Sequence, residues 1–286
     1  MRIRLAAMSR QTAKGQTMRI VTMVAVVLGW VGMPVFACGP DSDCVLGDRH
    51  YRIAMPEGHD GATAVPAIVF SHGYRGSAQG VMRNGSLRRM VSDLGAALIA
   101  VKSKDDDWVI PNAPRHMDTD GAIEFAYFDA VLEDAAAHFN IDESRIMATG
   151  FSAGGMMVWN LACARSDRFA AFAPISGTFW LKPPEECSGP VANVIHIHGD
   201  NDKTVPLKGR RIQQTKQGEV QDALDMYIAY GRFGPASPTT HDTLRCQERR
   251  NDNADILDFC LFEGGHSFRT EYVRFAWERF KDAGRL

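Results

Sequence analysis

The pentapeptide Gly150-Phe151-Ser152-Ala153-Gly154 sets a serine between two glycines. In the pattern G-x-S-x-G the glycines permit a turn so tight that neighbouring backbone passes where a Cβ would sit, which lifts the hydroxyl above its surroundings. A hydroxyl is a weak nucleophile at neutral pH, so it needs a base beside it, and the base needs an acid to hold its tautomer. Downstream, His198-Gly199-Asp200-Asn201-Asp202 offers two carboxylates. Asp200 directly follows a glycine and suits a turn that bonds its own backbone. Asp202 lies farther into the loop, from where it can reach back, and is the preferred acid. His266, in Glu263-Gly264-Gly265-His266-Ser267, is the base candidate, carried on a segment that two glycines let bend. The chemistry of such a set is acyl transfer, which also needs N–H donors for the developing oxyanion. Ala153, which follows the serine, supplies one. Tyr74, in His72-Gly73-Tyr74-Arg75, supplies the second, with Arg75 as the alternative.

These groups are far apart in the chain, and strand ends must bring them together. Short unbroken apolar runs alternate with helical spacing, the signature of a mostly parallel sheet covered by helices on both faces. Strands are expected at His50 to Met55, Ala67 to Ser71, Ala97 to Lys102, Ile146 to Thr149, Phe169 to Ile175, Val194 to His198 and Ile256 to Phe262. A helix carrying Leu87, Met90, Val91 and Leu94 follows the His72 loop. Phe125, Phe128, Leu132, Ala135 and Phe139 recur at three and four, predicting a helix over Ile123 to Phe139. Met156 to Cys163 reads as a buried helix, and further helices are expected at Val220 to Tyr230 and Thr270 to Phe280. Ser152 thus sits between strand and helix, the context that gives its pentapeptide meaning. Ser103 to Asp120 is the longest stretch without periodicity, and long loops in compact domains are often functional. His196 and His198 alternate on a strand and are read as differing in face, which argues against a shared metal site; His196 is expected to be packed or hydrogen-bonded.

Residues 1–37 hold five basic residues and no acidic one, and an apolar run from Ile20 to Val35 ends at Val35-Phe36-Ala37. This reads as a signal peptide, with Met18 as an alternative start. A membrane anchor would need about 20 apolar residues, more than the run provides, so no stable membrane insertion is expected after cleavage. Residues 38–286 then form one catalytic domain with 27 Lys and Arg against 34 Asp and Glu, a formal charge of −7. Such a balance provides no sequence-wide field for polyanions, so nucleic acid is not an expected partner. Cys38, Cys44, Cys163, Cys187, Cys246 and Cys260 all follow the cut, and an even count in an exported chain suggests three disulfides. Six cysteines allow 15 pairings; nearest neighbours are the expectation, Cys38 with Cys44, Cys163 with Cys187 and Cys246 with Cys260. No spacing suggests zinc, and no metal or cofactor is expected.

Taken together, His72-Gly73-Tyr74, the run Ile141 to Ile146 leading through Ala148-Thr149 into Gly150 to Met156, His198 to Asp202 with Val205-Pro206, and Gly264-Gly265-His266 resemble a known family. It is the secreted esterase group of the α/β-hydrolases that holds polyhydroxybutyrate depolymerases, feruloyl esterases and acetylxylan esterases. The resemblance spans roughly Arg49 to Phe280 and implies the α/β-hydrolase fold. It also implies Ser152 as nucleophile, Asp202 as acid, His266 as base, and Tyr74 and Ala153 as oxyanion donors. Glu124 stands where the family more often shows Asp, a departure read as neutral. Twenty residues follow His266, room for one helix, so soluble oligomers or small esters are expected rather than crystalline polyester.

Trp108 and Trp180 could each form an aromatic substrate wall near the strand ends, or pack in the core. Lys208, Arg210, Arg211 and Lys216 are read as a solvated charged loop, with recognition of a carboxylate as the alternative. The expected protein is a secreted, periplasmic or extracellular, monomeric hydrolase of feruloyl, acetyl or hydroxybutyrate-oligomer esters. Acyl transfer to another alcohol and a non-catalytic binding role on the same fold are the competing readings.

Overall fold

The computed structural model describes residues 38–286. The targeting segment read at residues 1–37, with its alternative start at Met18, lies outside the described residues. In chain order the strands are β1 (Cys44–Leu46), β2 (Arg49–Ala54), β3 (Val65–Ser71), β4 (Ala97–Val101), β5 (Ile141–Phe151), β6 (Ala171–Ile175), β7 (Val194–Gly199), β8 (Arg210–Ile212), β9 (Thr215–Gln217), β10 (Ser237–His241), β11 (Leu244–Arg250) and β12 (Ile256–Phe262). The helices are α1 (Ala78–Arg83), α2 (Gly85–Asp93), α3 (Ala122–Phe139), α4 (Ala153–Ala164), α5 (Val220–Gly231) and α6 (Thr270–Asp282).

Among the described residues, ten strands form one sheet in the order β1-β2-β4-β3-β5-β6-β7-β12-β11-β10. From β4 to β12 neighbours run parallel. The antiparallel pairs lie toward the two edges. Side chains two apart on a strand share a face, so each strand feeds two cores. Ala67 and Val69 of β3 pack with α3, α4 and α5, while Ile68 and Phe70 pack with α1, α2 and α6. This is the α/β-hydrolase architecture, a mostly parallel sheet with helices on both faces.

The same periodicity corrects one expectation. His196 and His198 are two apart on β7, so they share a face, and His196 Nε2 lies 2.9 Å from His198 Nδ1. The helix expected after the His72 loop is two helices. Asn84 ends α1, and its side chain accepts from the Leu87 N–H to start α2. The short hairpin of β8 and β9 carries no apolar run long enough to signal a strand, and it was not anticipated.

The three disulfides are Cys38–Cys44, Cys163–Cys187 and Cys246–Cys260. The last joins directly opposed residues of β11 and β12, whose Cα atoms are 4.0 Å apart, and so fixes the register of the strand that leads to His266. Closing a loop of this size is worth about 3 kcal/mol in the chain-entropy model. The double variant Cys246→Ala/Cys260→Ala should therefore melt roughly 6–12 °C lower, followed by circular dichroism. A shift of a degree or less would show that the register is held without it.

Candidate active site

Ser152 leaves β5 and opens α4 with φ 61° and ψ −121°, a left-handed-side conformation that a side chain rarely adopts. Strain of this kind costs about 1–3 kcal/mol and persists only where surrounding contacts over-determine it. Here the contacts are backbone against backbone. A Cβ on Gly154 would lie 1.9 Å from the Ser71 carbonyl oxygen, and one on Gly150 would lie 2.6 Å from the Gly154 carbonyl oxygen. Only glycine fits at either place, and β3, β5 and α4 close on one another as a result. The Ser152 N–H donates to the Ile175 carbonyl on β6 at 2.9 Å, which fixes the turn to the next strand.

β7 and β12 are neighbours, and the loops that leave their carboxyl ends are tied together. The Asp200 N–H donates to the Phe262 carbonyl at 3.0 Å and the Asn201 N–H to the Gly264 carbonyl at 2.9 Å. Asp200 accepts from the Gly264 N–H and from Arg245, so it clamps the glycine-rich segment rather than the imidazole. It is Asp202 whose Oδ2 meets His266 Nδ1, at 2.6 Å, while its Oδ1 accepts from the Thr204 and Val205 N–H groups at 2.8 Å each. Burial raises the Asp202 pKa, but the His266 and backbone N–H donors outweigh it and hold the carboxyl below its usual range. The His266 ring packs on Phe151, the residue before Ser152, with centroids 4.5 Å apart. Among the described residues neither Ser152 Oγ nor His266 Nε2 is hydrogen-bonded to another protein group. Nucleophile–base bonds are often long without substrate and tighten when it binds.

Beneath Asp202 runs a buried polar chain in which His196 is hydrogen-bonded, as expected, to partners that its sequence neighbourhood does not reveal. The Trp159 indole N–H, which can only donate, gives its proton to His196 Nδ1 at 3.0 Å. A neutral His196 then carries its proton on Nε2 and donates to His198 Nδ1. His198 donates from Nε2 to the Val205 carbonyl at 2.8 Å, with Asp202 Oδ2 3.5 Å away. Burial lowers the pKa of both histidines, so the chain is uncharged. Its direction is set by the indole, and its end holds the loop that carries Asp202.

On the other side of Ser152 lies the loop after β3. A Cβ on Gly73 would be 3.6 Å from the Ser152 Cβ, so this loop borders the serine. The Arg75 N–H is already given to the Asp106 carbonyl at 2.7 Å, which removes Arg75 as a donor for substrate. Among the described residues the N–H groups of Tyr74 and Ala153 have no protein acceptor. Ala153 is the first residue of α4, where the helix leaves N–H groups unpaired and partial positive charge accumulates.

Trp108 corrects an expectation. It is fully buried and forms no substrate wall. Its indole N–H donates to the His72 carbonyl at 2.9 Å, and its ring lies between His72 and Phe128. His72 accepts the Ser103 N–H at Nε2, so its own proton sits on Nδ1 and is given to the Gly73 carbonyl. Burial brings the His72 pKa down to about 4. Glu124 is likewise more than a neutral departure. Wholly buried in the first turn of α3, it accepts from Arg49 at 2.7 Å and from the Lys104 and Val109 N–H groups, pinning the long loop at both ends of its first half. An acidic residue opening a helix after a long loop was the available signal.

Ser152, Ala153 and Tyr74 open into a cavity of about 280 Å³ whose apolar surface includes Met156, Trp180 and Ile212. Trp180 therefore lines the site, unlike Trp108. Arg210, read from sequence as part of a solvated charged loop, is exposed on β8 as that reading expects, and it also borders the cavity.

The sequence pattern of a phospholipase/carboxylesterase family matches residues 124–227. A probable feruloyl esterase C of Aspergillus terreus is 30% identical over 225 residues, covering 77% of this chain and 77% of that protein. A probable feruloyl esterase C of Aspergillus clavatus is 28% identical over 229 residues, with 77% and 76% covered. The solved acetyl xylan esterase from Aspergillus awamori matches the fold with a TM-score of 0.61 at 13% identity, covering 86% of this chain and 99% of that one. With a relative this similar along most of its length, and with the sheet order and strand-end site described above, the chain belongs to the esterase family of the α/β-hydrolases, enzymes that cleave carboxylic esters.

Proposed function

We propose that residues 38–286 are the catalytic domain of an exported, monomeric serine esterase that works through an acyl-enzyme. The observation that carries this reading is the 2.6 Å bond from Asp202 to His266 on an imidazole that packs against the residue preceding Ser152. Asp202 keeps the proton of His266 on Nδ1, leaving Nε2 to accept the proton of Ser152 Oγ. The hydroxyl oxygen adds to the ester carbonyl, and the N–H groups of Tyr74 and Ala153 receive the negative oxygen. His266 returns the proton to the leaving alcohol, and the same base then activates water to release the acid. The unpaired state of both N–H groups before substrate arrives means that no protein bond is broken to form this cradle.

The cavity is small and mostly apolar, with Trp180 on its wall, which suits a single compact acyl group. Feruloyl, acetyl and hydroxybutyrate-oligomer esters are the candidate substrates. Export through residues 1–37 is supported by three disulfides, which form and persist in oxidising compartments. Among the described residues no helix is long and apolar enough to cross a membrane.

Ser152→Ala should lower kcat on a 4-nitrophenyl ester by at least about a thousandfold with an unchanged melting temperature; turnover near wild type would reject Ser152. Trp108→Phe keeps an aromatic side chain, though a smaller one, and removes the bond to the His72 carbonyl, so kcat should fall about tenfold with little change in KM, as expected when an oxyanion donor is mispositioned. A change in KM alone would place Trp108 in substrate binding after all. The buried neutral histidines set a pH limit. His72 titrates near 4 when folded and near its usual value of about 6.5 when unfolded, so unfolding takes up a proton between these values. Its stabilising contribution is present above pH 6.5 and is lost as the pH falls toward 4, about 3 kcal/mol at most. His196 and His198 act in the same direction. Urea titrations at pH 7 and pH 5 should show lower stability at pH 5, and equal stability would contradict the burial of these rings in the neutral form.

A further inference from the structure

Arg210 and Ile212 alternate on β8 with Arg211 between them, so the two flank the cavity while Arg211 turns away to the Gln213 carbonyl. The Arg210 guanidinium is held by a neutral group. Its Nε donates at 3.1 Å to Oε1 of Gln217, a buried residue of β9 that bridges to Trp180. That bond orients the side chain without cancelling its charge, and it leaves both terminal nitrogens available. Among the described residues no carboxylate pairs with Arg210. Arg115, the other arginine on the wall, faces Asp106 at 3.9 Å. The hairpin is also fastened to the long loop, by Gln214 to the Pro114 carbonyl and by Thr215 to the Asn112 carbonyl at 2.9 Å. The cation therefore belongs to a fixed wall rather than to a free strand tip. Residues 38–286 carry a formal charge of −7, so the domain as a whole repels anions and a lone oriented arginine at the site runs against that background.

His266, which must hand a proton to the leaving alcohol, does not line this cavity, whereas Ser152 and both candidate oxyanion donors do. The cavity thus lies on the acyl side of the serine. We propose that Arg210 makes its wall a carboxylate subsite, so that the preferred substrates are half-esters whose acyl part is compact and apolar and ends in a second, free carboxylate. This rests on the serine-esterase reading above. A guanidinium offering two terminal N–H groups is well matched to a carboxylate, and such charge-assisted bonds change affinity by about ten- to a hundredfold.

The test compares mono(4-nitrophenyl) adipate with 4-nitrophenyl hexanoate, which share a six-carbon acyl chain and a leaving group and differ in the terminal carboxylate. For the wild-type chain the ratio of kcat/KM, adipate over hexanoate, should exceed one. In Arg210→Gln that ratio should fall at least tenfold, and Arg210→Lys, which keeps the charge but not the planar fork, should retain part of it. A wild-type ratio below one, or a ratio that Arg210→Gln leaves unchanged, overturns the subsite. Failure of the wild type to cleave either ester would instead count against the serine-esterase reading itself, so the two failures are distinguishable.

Discussion

Everything at this site depends on a single steric constraint, the meeting of three backbone segments at Gly150 and Gly154 with no side chain between them. The 1.9 Å separation that a Cβ on Gly154 would have from the Ser71 carbonyl means that β3 and α4 touch main chain to main chain. That contact holds Ser152 in a conformation that local preference disfavours, and it does so with rigid groups rather than with flexible side chains. The strain fixes which way the hydroxyl leaves the turn, and it also aims the first N–H of α4 and brings the Gly73 loop against the serine. One packing event therefore sets the proposed nucleophile and both proposed oxyanion donors together.

The second requirement is polar, and it is met by enclosure. Burial raises the pKa of the Asp202 carboxyl, yet three N–H donors outweigh it and hold the group below its usual range. The donors are in place because the loop behind them is anchored from below by His198 and, through His196, by Trp159. A buried chain of this kind is stabilising only when every member is satisfied. The orientation here is unambiguous because the indole can only donate. The chain links the core of α4, which Ser152 immediately precedes, to the loop of the acid, so the two halves of the proposed triad share one packed framework.

Walls around the cavity come from segments with little regular structure of their own. The loop from Ser103 to Asp120 is fixed by Glu124 and by Trp108, and the β8–β9 hairpin is fixed to that loop in turn. The elements that define the proposed acyl side are thus held by polar bonds to the scaffold and by Trp108, Ile110 and Ala113 in the main core. Substitutions on these walls can alter selectivity with less disturbance to the sheet than changes at the elbow.

The fold and the residues of the proposed reactive set were legible because they are local signals. The unbroken apolar runs of the central strands, the spacing of Phe125 to Phe139, the glycines around Ser152 and the order of serine, acid and histidine all belong to short windows whose periodicity or steric demand can be read without knowing the neighbours. Even the cysteine pairing followed from proximity in the chain. The shared face of His196 and His198 was also local, since a strand repeats every two residues, and it was misread. What tertiary structure alone decided was partnership. Asp202 was already the preferred acid from its place in the loop, but the 2.6 Å bond that it makes with His266 depends on how β7 and β12 end side by side. Trp108 is a buried strut because its indole meets the carbonyl of a residue 36 positions earlier. Arg210 lines the same cavity as Ser152 because a hairpin is fastened to the long loop. Each of these depends on which distant groups share a strand end, and that is set by sheet order and register, which no short stretch of sequence encodes.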